Sequence, residues 1–348
     1  MFYQKLLKPI LFKFDPERVH DFFVWTGEFL GKNILSRKLV SFFYKYKGKN
    51  ISKVVDGLKY QTPFILSAGF DYNGRLLNIL SEISFGGAEI GSVTARPCSG
   101  NKKPRLKRLP KSRSILVNKG LKNDGVEIII ERLKKYHKKG DFVVGVSIAQ
   151  TNDEKNCSVQ TGLEDYFYSW KRLNEENVGD YYTINISCPN AFGGEMFTNP
   201  ELLNLLISKI SIIKCQKPIY VKMPINLEWL EFNELLKVLD KFEMIKGVVI
   251  GNLNKDYNSL DYKDEAPKEF WGGLSGKPCF KLSNELIRKT RTTYDQRFTI
   301  IGVGGVMSPQ NMIEKFEAGA DLVALITGMI YNGSSFIKEL SKEYGKFK

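Results

Sequence analysis

The sequence predicts an α/β protein, a (β/α)8 TIM barrel with a small helical extension at its N-terminus. From about residue 62 onward, eight short runs rich in Val and Ile alternate with amphipathic helical stretches. The runs are continuously apolar, as strands covered on both faces of a parallel sheet must be, and eight strand–helix repeats close a barrel. The 348 residues suffice for such a barrel, commonly about 250 residues, plus an appendage. The division expected is 1–50 for the extension and 51–348 for the barrel.

In the extension, helices are predicted over Phe2 to Phe14, Pro16 to Leu30 and Leu35 to Tyr46. Asp15 stands as N-cap of the second and Pro16 at its first helical position. Phe12, Phe14, Phe22, Phe23, Trp25, Phe29, Phe42 and Phe43 alternate there with Lys5, Lys8, Lys13, Lys32, Arg37, Lys38 and Lys45. Two readings fit: helices lying in a membrane surface with a cationic rim, or a cap burying its apolar face against the barrel bottom. No run approaches the ~18 apolar residues of a membrane-spanning helix, and no signal-peptide pattern opens the chain.

The eight strand runs are Pro63 to Ala68, Gly87 to Val93, Phe142 to Ile148, Tyr181 to Ser187, Pro218 to Met223, Gly247 to Asn252, Phe298 to Gly304 and Asp321 to Thr327. After the second comes Asn101 to Lys122, with nine Lys/Arg and no acid. It reads as a solvated loop, or as an attractor of an anionic substrate or electron acceptor. The net charge of +14 favours an anionic partner of some kind without choosing among lipid, RNA and a small acid. The five cysteines, Cys98, Cys157, Cys188, Cys215 and Cys279, are scattered and odd in number. Neither a disulfide framework nor a metal site is expected, and a reducing compartment is.

Functional loops of such barrels follow the C-terminal ends of the strands. There, Gly272-Gly273-Leu274-Ser275-Gly276, Gly302-Val303-Gly304-Gly305 and Thr327-Gly328 open the backbone to phosphate oxygens, pointing to a phosphate-bearing cofactor. The fourth run ends in Asn185-Ile186-Ser187-Cys188-Pro189-Asn190, which puts Asn185 and Ser187 on one face. Cys188 is a candidate general base or acid if nearby charge lowers its pKa. The other four cysteines read as structural. Lys222 is a charge in an apolar strand and needs an anionic partner, either a reduced flavin's N1–C2=O edge or a barrel carboxylate. Asn252 adds an amide at the end of the sixth run.

These motifs, with Asp15-Pro16-Glu17-Arg18-Val19-His20, Ser67-Ala68-Gly69-Phe70-Asp71, Glu89-Ile90-Gly91-Ser92-Val93-Thr94, Arg96-Pro97 and Lys103-Pro104-Arg105-Leu106, resemble the dihydroorotate dehydrogenase family over nearly the whole chain. The helical N-terminus looks like the quinone-dependent, membrane-associated class. The resemblance implies FMN held by Ala68, Gly69, Ser92, Ser147, Asn185, Lys222, Gly251, Gly276, Gly305, Ile326 and Thr327. It implies dihydroorotate held by Asn185, Asn190, Asn252 and Asn118, with Cys188 taking the C5 proton as hydride leaves C6 for the flavin. A quinone would be reduced near His20 and Arg108. It further implies a peripheral place on the cytoplasmic face of the cell membrane and a monomer, with no nucleic acid as partner.

Several positions depart from the pattern. The quinone class usually has Ser where Cys188 stands; Cys188, Ala191-Phe192-Gly193-Gly194 and Asn199-Pro200-Glu201-Leu202-Leu203 look like the soluble classes. Tyr72 replaces a lysine touching flavin and substrate, a charge that Lys119 or Lys122 could supply. Val117 replaces a substrate asparagine unless Asn118 shifts into its place, and Ser147, Ala149, Gln150 and Thr151 replace an N-x-G-K-N run. Alternatives are a tRNA-dihydrouridine synthase, which carries its RNA-binding helices after the barrel instead of before it, a dihydropyrimidine-type reductase, and a membrane-docking flavoprotein without catalysis.

Overall fold

In the computed structural model, which describes residues 3–138, 140–156, 158–190, 194–261, 264 and 272–348, each apolar run overlaps one strand of a closed barrel. The strands are β1 (Phe64–Leu66), β2 (Gly87–Val93), β3 (Val143–Ile148), β4 (Tyr181–Asn185), β5 (Ile219–Met223), β6 (Ile245–Ile250), β7 (Thr299–Val303) and β8 (Leu322–Leu325). Each pairs in parallel with the next, and β8 returns to β1 with Leu325 beside Leu66. Six strands are shorter than their runs, β2 coincides with its run, and β6 begins two residues earlier, at Ile245. Ser67, Ala68, Ser187, Asn252 and Gly304 leave the ladder and build the mouth instead.

Inside the barrel, side chains divide by height. Ile65, Val143, Tyr181, Tyr220, Val249, Ile301 and Leu322 fill the lower part, closed below by Val55 and Tyr60 of the hairpin Lys53–Val55/Leu58–Tyr60. Each large side chain removed from water there contributes roughly 1.5–3 kcal/mol. Above them the inward residues turn polar: Glu89, Ser147, Thr183, Asn185 and Lys222 are all buried. A packed floor under a polar upper layer directs the chemistry to the C-terminal mouth.

The extension forms helices α1 (Pro16–Lys32) and α2 (Ile34–Tyr44). Asp15 caps α1, accepting from the Arg18 amide at 2.9 Å, and Asn33 caps α2. The expected helix over Phe2 to Phe14 is shorter and irregular, a π-helical segment, Tyr3–Leu7, running straight into the α-helix Lys8–Leu11. Pro9, which has no N–H to return to Lys5, interrupts the regular ladder. Nor does the extension cap the barrel bottom. It leans on the side of the first repeat, where Gly27 lets α1 approach so closely that an added Cβ would lie 2.5 Å from Leu76.

The outer face of the extension stays bare. Of the 20 exposed large hydrophobic residues among those described, 13 lie between Leu6 and Phe43, including Phe22, Trp25, Phe29, Phe42 and Phe43. That concentration favours the interfacial reading over a buried cap. No described helix is long and apolar enough to cross a membrane.

The segment 101–122 is not a solvated loop. It contains an antiparallel hairpin, Leu106–Leu109 and Ser114–Val117, to which Gly273–Leu274 adds a third strand. Leu109, Leu116 and Leu274 bury together beneath it. The basic residues sit around this apolar patch, and those nearest the mouth find partners in α1.

Candidate functional site

At the end of β4 the polar side chains lock one another. Asn185 Nδ2 donates to Ser92 Oγ at 2.8 Å, and Ser92 Oγ meets Ser147 Oγ at 2.8 Å. Asn185 Oδ1 accepts from the Ser187 amide and hydroxyl, each at 3.3 Å, and the Tyr166 hydroxyl donates to the Asn185 carbonyl at 2.6 Å. Asn252 donates to Ser187 Oγ at 2.8 Å and to the Ser187 carbonyl. Asn190 Nδ2 donates to the Val117 carbonyl at 2.9 Å. A network this well satisfied fixes rotamers before any ligand arrives.

Cys188 lies among these amides. Burial pushes its thiol up to about 11, although the Asn190 amide and Lys222 both pull it down. The condition set for it from sequence, a pKa lowered by nearby charge, is therefore not met by the protein alone. Desolvation outweighs one ammonium that lacks direct contact with the sulfur.

Lys222 faces Asn185 across the β4–β5 ladder and makes no hydrogen bond or ion pair among the described residues. Burial lowers its pKa, against the opposing influence of Glu89 and Cys188. Glu89, inward on β2, accepts from Thr183 Oγ1 at 2.7 Å, and its other carboxylate oxygen has no partner. Thr183 is two residues before Asn185 on β4, so Glu89 belongs to the layer just below Lys222.

On the opposite side of the mouth, Ser275, Gly276, Gly304, Gly305, Thr327 and Gly328 line the cavity. Ser275 Oγ meets Thr327 Oγ1 at 2.8 Å, and Thr327 opens the helix Thr327–Asn332. Gly276 has φ +78°, and an added Cβ would lie 2.3 Å from the Arg113 carbonyl. A side chain there would collide with the Arg113–Ser114 turn that packs against the mouth. Gly272 and Gly273 do not belong to it; they let their strand approach Val117 and Leu253.

The mouth continues into the extension as one cavity of about 800 Å³. Its deep end holds Asn185, Cys188, Lys222 and Asn252, and its outer part runs past His20 and Arg108 between Phe23, Leu30, Val40 and Phe43. Arg108 donates to the Phe14 carbonyl at 2.7 Å and covers the Phe12 ring. His20 Nε2 donates to the Phe70 carbonyl at 2.8 Å, and its Nδ1 lies 3.0 Å from the Tyr72 hydroxyl and 3.1 Å from Asp21 Oδ1. Lys119 Nζ donates to Tyr72 at 2.8 Å and to buried Glu17 at 3.1 Å, where Arg105 also binds.

Of the residues nominated from sequence, Ala68, Gly69, Ser92, Asn185, Cys188, Asn190, Lys222, Gly251, Asn252, Gly276, Gly305, Ile326, Thr327, His20 and Arg108 line this cavity. Ser147 does not reach it and stands behind Ser92. Asn118 does not line it either; its side chain accepts from Asn101 at 2.6 Å, so the structure does not slide it into the place of Val117. Cys98 and Cys279 are buried, as structural thiols should be, but Cys215 is only half-buried. Cys157 and residues 191–193 of the Ala191 motif lie outside the described residues. Sequence reading passed over Glu89, Glu17 and Tyr166. A carboxylate inside an apolar strand run was the one signal available for Glu89.

Comparison with known proteins follows the same lines. Residues 51–347 match the family model described as dihydroorotate dehydrogenase. A dihydroorotate dehydrogenase (quinone) of Christiangramia forsetii is 36% identical, with 98% of each chain covered. One of Thermosynechococcus vestitus is 32% identical over 98% of this chain and 95% of its own. Among solved structures, the Eimeria tenella enzyme in complex with ferulenol superposes with a TM-score of 0.81 at 24% identity, covering 96% of this chain and 91% of that one. This last likeness is one of fold.

Proposed function

Since the chain belongs to the dihydroorotate dehydrogenase family, we propose that it oxidises dihydroorotate to orotate in pyrimidine biosynthesis, using FMN and passing the electrons to a membrane quinone. The observation that carries this reading is the single cavity joining Cys188, Asn185 and Lys222 to the groove between α1 and α2. One end suits a small polar ring and the other an apolar one.

The residues fit FMN in two places: an open glycine cradle with paired hydroxyls for a phosphate, and an unpartnered buried ammonium for an electron-rich ring edge. Gly276, Gly305, Thr327 and Gly328 would hold the phosphate, and Lys222, Asn185 and Ser92 the ring. FMN, when bound, supplies the acceptor for the C6 hydride and the donor for the quinone. Cys188, as thiolate, takes the C5 proton, and Asn185, Asn190 and Asn252 orient the substrate's carboxylate and amide groups. His20 and Arg108 flank the quinone's approach, and the exposed aromatic face of α1 and α2 rests on the cytoplasmic leaflet as a peripheral contact.

The test is anaerobic mixing of the FMN-loaded protein with dihydroorotate while following flavin absorbance. Bleaching, reversed by a short-chain quinone, is expected. An unchanged spectrum would reject the substrate.

A further inference from the structure

The polar layer of the barrel holds a carboxyl, Glu89, that the reaction above leaves unused, beneath a lysine that it does use. Lys222 is a largely buried lysine that lines the cavity and makes no hydrogen bond among the described residues, and one layer below it Glu89 is a carboxyl buried with one oxygen bonded to Thr183 and the other without a donor in hydrogen-bonding geometry among the described residues. Tyr181 and Tyr60 lie beside Glu89, and Cys188 lies near Lys222 above. None of these neighbours carries a second positive charge. An isolated charge in such surroundings is costly, so the layer favours states with no net charge.

We infer that Glu89 acts through Lys222 as a proton-holding residue: it is ionised while the flavin is oxidised and takes a proton from solvent when the flavin is reduced. This rests on the FMN reading of the site. With the ring oxidised, Lys222 and Glu89 neutralise each other. Reduction brings two electrons and one proton to the ring and leaves one negative charge at the edge that Lys222 faces. Lys222 then serves that charge, and Glu89 becomes the uncompensated one. Its carboxyl, already pushed up by burial against the pull of Lys222, Thr183 and Tyr181, accepts a second proton. Charge in the cavity stays balanced throughout, and no bond to carbon is made.

The experiment uses the FMN-loaded protein and dithionite as reductant. A reduced-minus-oxidised infrared difference spectrum is expected to gain the C=O stretch of a protonated carboxyl, which disappears in Glu89→Gln and moves in Thr183→Val. The flavin midpoint potential of the unmutated protein should fall with pH by two protons' worth, at about 30 mV per pH unit for each proton of a two-electron couple; one proton's worth is expected for Glu89→Gln. A wild-type spectrum without a new carboxyl band, or a one-proton slope, overturns the inference even if the variants fail to fold. Failure of the protein to take up FMN would overturn the reading of the site as well, and so is distinguishable.

Discussion

Lys119 Nζ lies 3.1 Å from Glu17 Oε1, tying the loop that follows the hairpin to the first turn of α1. Arg105 joins the same carboxylate at 3.0 Å and Lys122 approaches it at 3.6 Å. From Lys119 the contacts continue through Tyr72 to His20. The extension is thus fastened to the barrel at the point where the cavity passes from the polar mouth to the apolar groove.

Glu17→Gln should loosen α1. Arg105 and Lys119 would keep their charges while losing their counter-charge in a buried place, at a cost of about 3–5 kcal/mol. Burial raises the Glu17 carboxyl, but Lys119 and Arg105 outweigh it and hold it below the usual value. Its contribution is therefore complete above the unfolded carboxylate range and lost as pH falls through the folded value. Amide protection across α1 in wild type, taken against the intrinsic exchange rate at each pH, should fall in acid, and Glu17→Gln should already be poorly protected at neutral pH. Equal exchange in the two proteins at pH 7 would contradict the clamp.

With burial pushing the Cys188 thiol up to about 11, the thiolate is the minor form at neutral pH. Flavin bleaching by dihydroorotate should speed up about tenfold per pH unit until the thiol titrates. Cys188→Ala should lose about a hundredfold to ten-thousandfold in that rate with unchanged FMN content. A pH-independent rate in wild type would remove Cys188 as the base.

Lys119 can act at Tyr72, whereas Lys122 pairs with Glu17 and has no contact with Tyr72 among the described residues. Lys119→Ala is expected to raise the KM for dihydroorotate about tenfold, the loss of one charge-assisted hydrogen bond. Lys122→Ala should change it little. An unchanged KM in Lys119→Ala would mean that this lysine holds the extension and nothing more.

Replacing Trp25, Phe29, Phe42 and Phe43 together by Ser removes four exposed aromatic side chains. Each is worth on the order of 1.5–3 kcal/mol when taken out of water, so vesicle binding should fall at least a hundredfold. Flavin reduction by dihydroorotate in solution should be spared. Full retention on vesicles would place the membrane contact elsewhere.

The barrel was legible because its signal is local: each strand is a continuous apolar run, and the mouth residues follow it directly. The hairpin over 106–117 was not, because Leu106 and Leu109 are separated by Lys107 and Arg108, and the third strand comes from Gly273–Leu274, far away in sequence. Distance also hid the Glu17 clamp. The choice between Val117 and Asn118 depended on a loop register that only Asn101 settles. The pKa of Cys188 depended on burial, which motif and spacing do not report.

Lys315 provides a test of the packing behind β7. It is fully buried, donates to Asn284 Oδ1 at 2.7 Å and Ser283 Oγ at 3.1 Å, and has no carboxylate partner among the described residues. Burial lowers its pKa to about 7, with Cys279 opposing. In the unfolded chain the amine stays protonated up to its ordinary value of 10.5, so between those limits the unfolded state holds the extra proton and stability rises with pH. Each unit is worth about 1.4 kcal/mol, several kcal/mol across the window as an upper bound. Lys315→Met leaves Asn284 without its donor but removes this dependence. Denaturant unfolding at pH 7 and pH 9 should show wild type gaining stability relative to Lys315→Met as pH rises. Parallel behaviour of the two proteins would mean that the ammonium stays charged in the folded state, held by its two neutral oxygen partners alone.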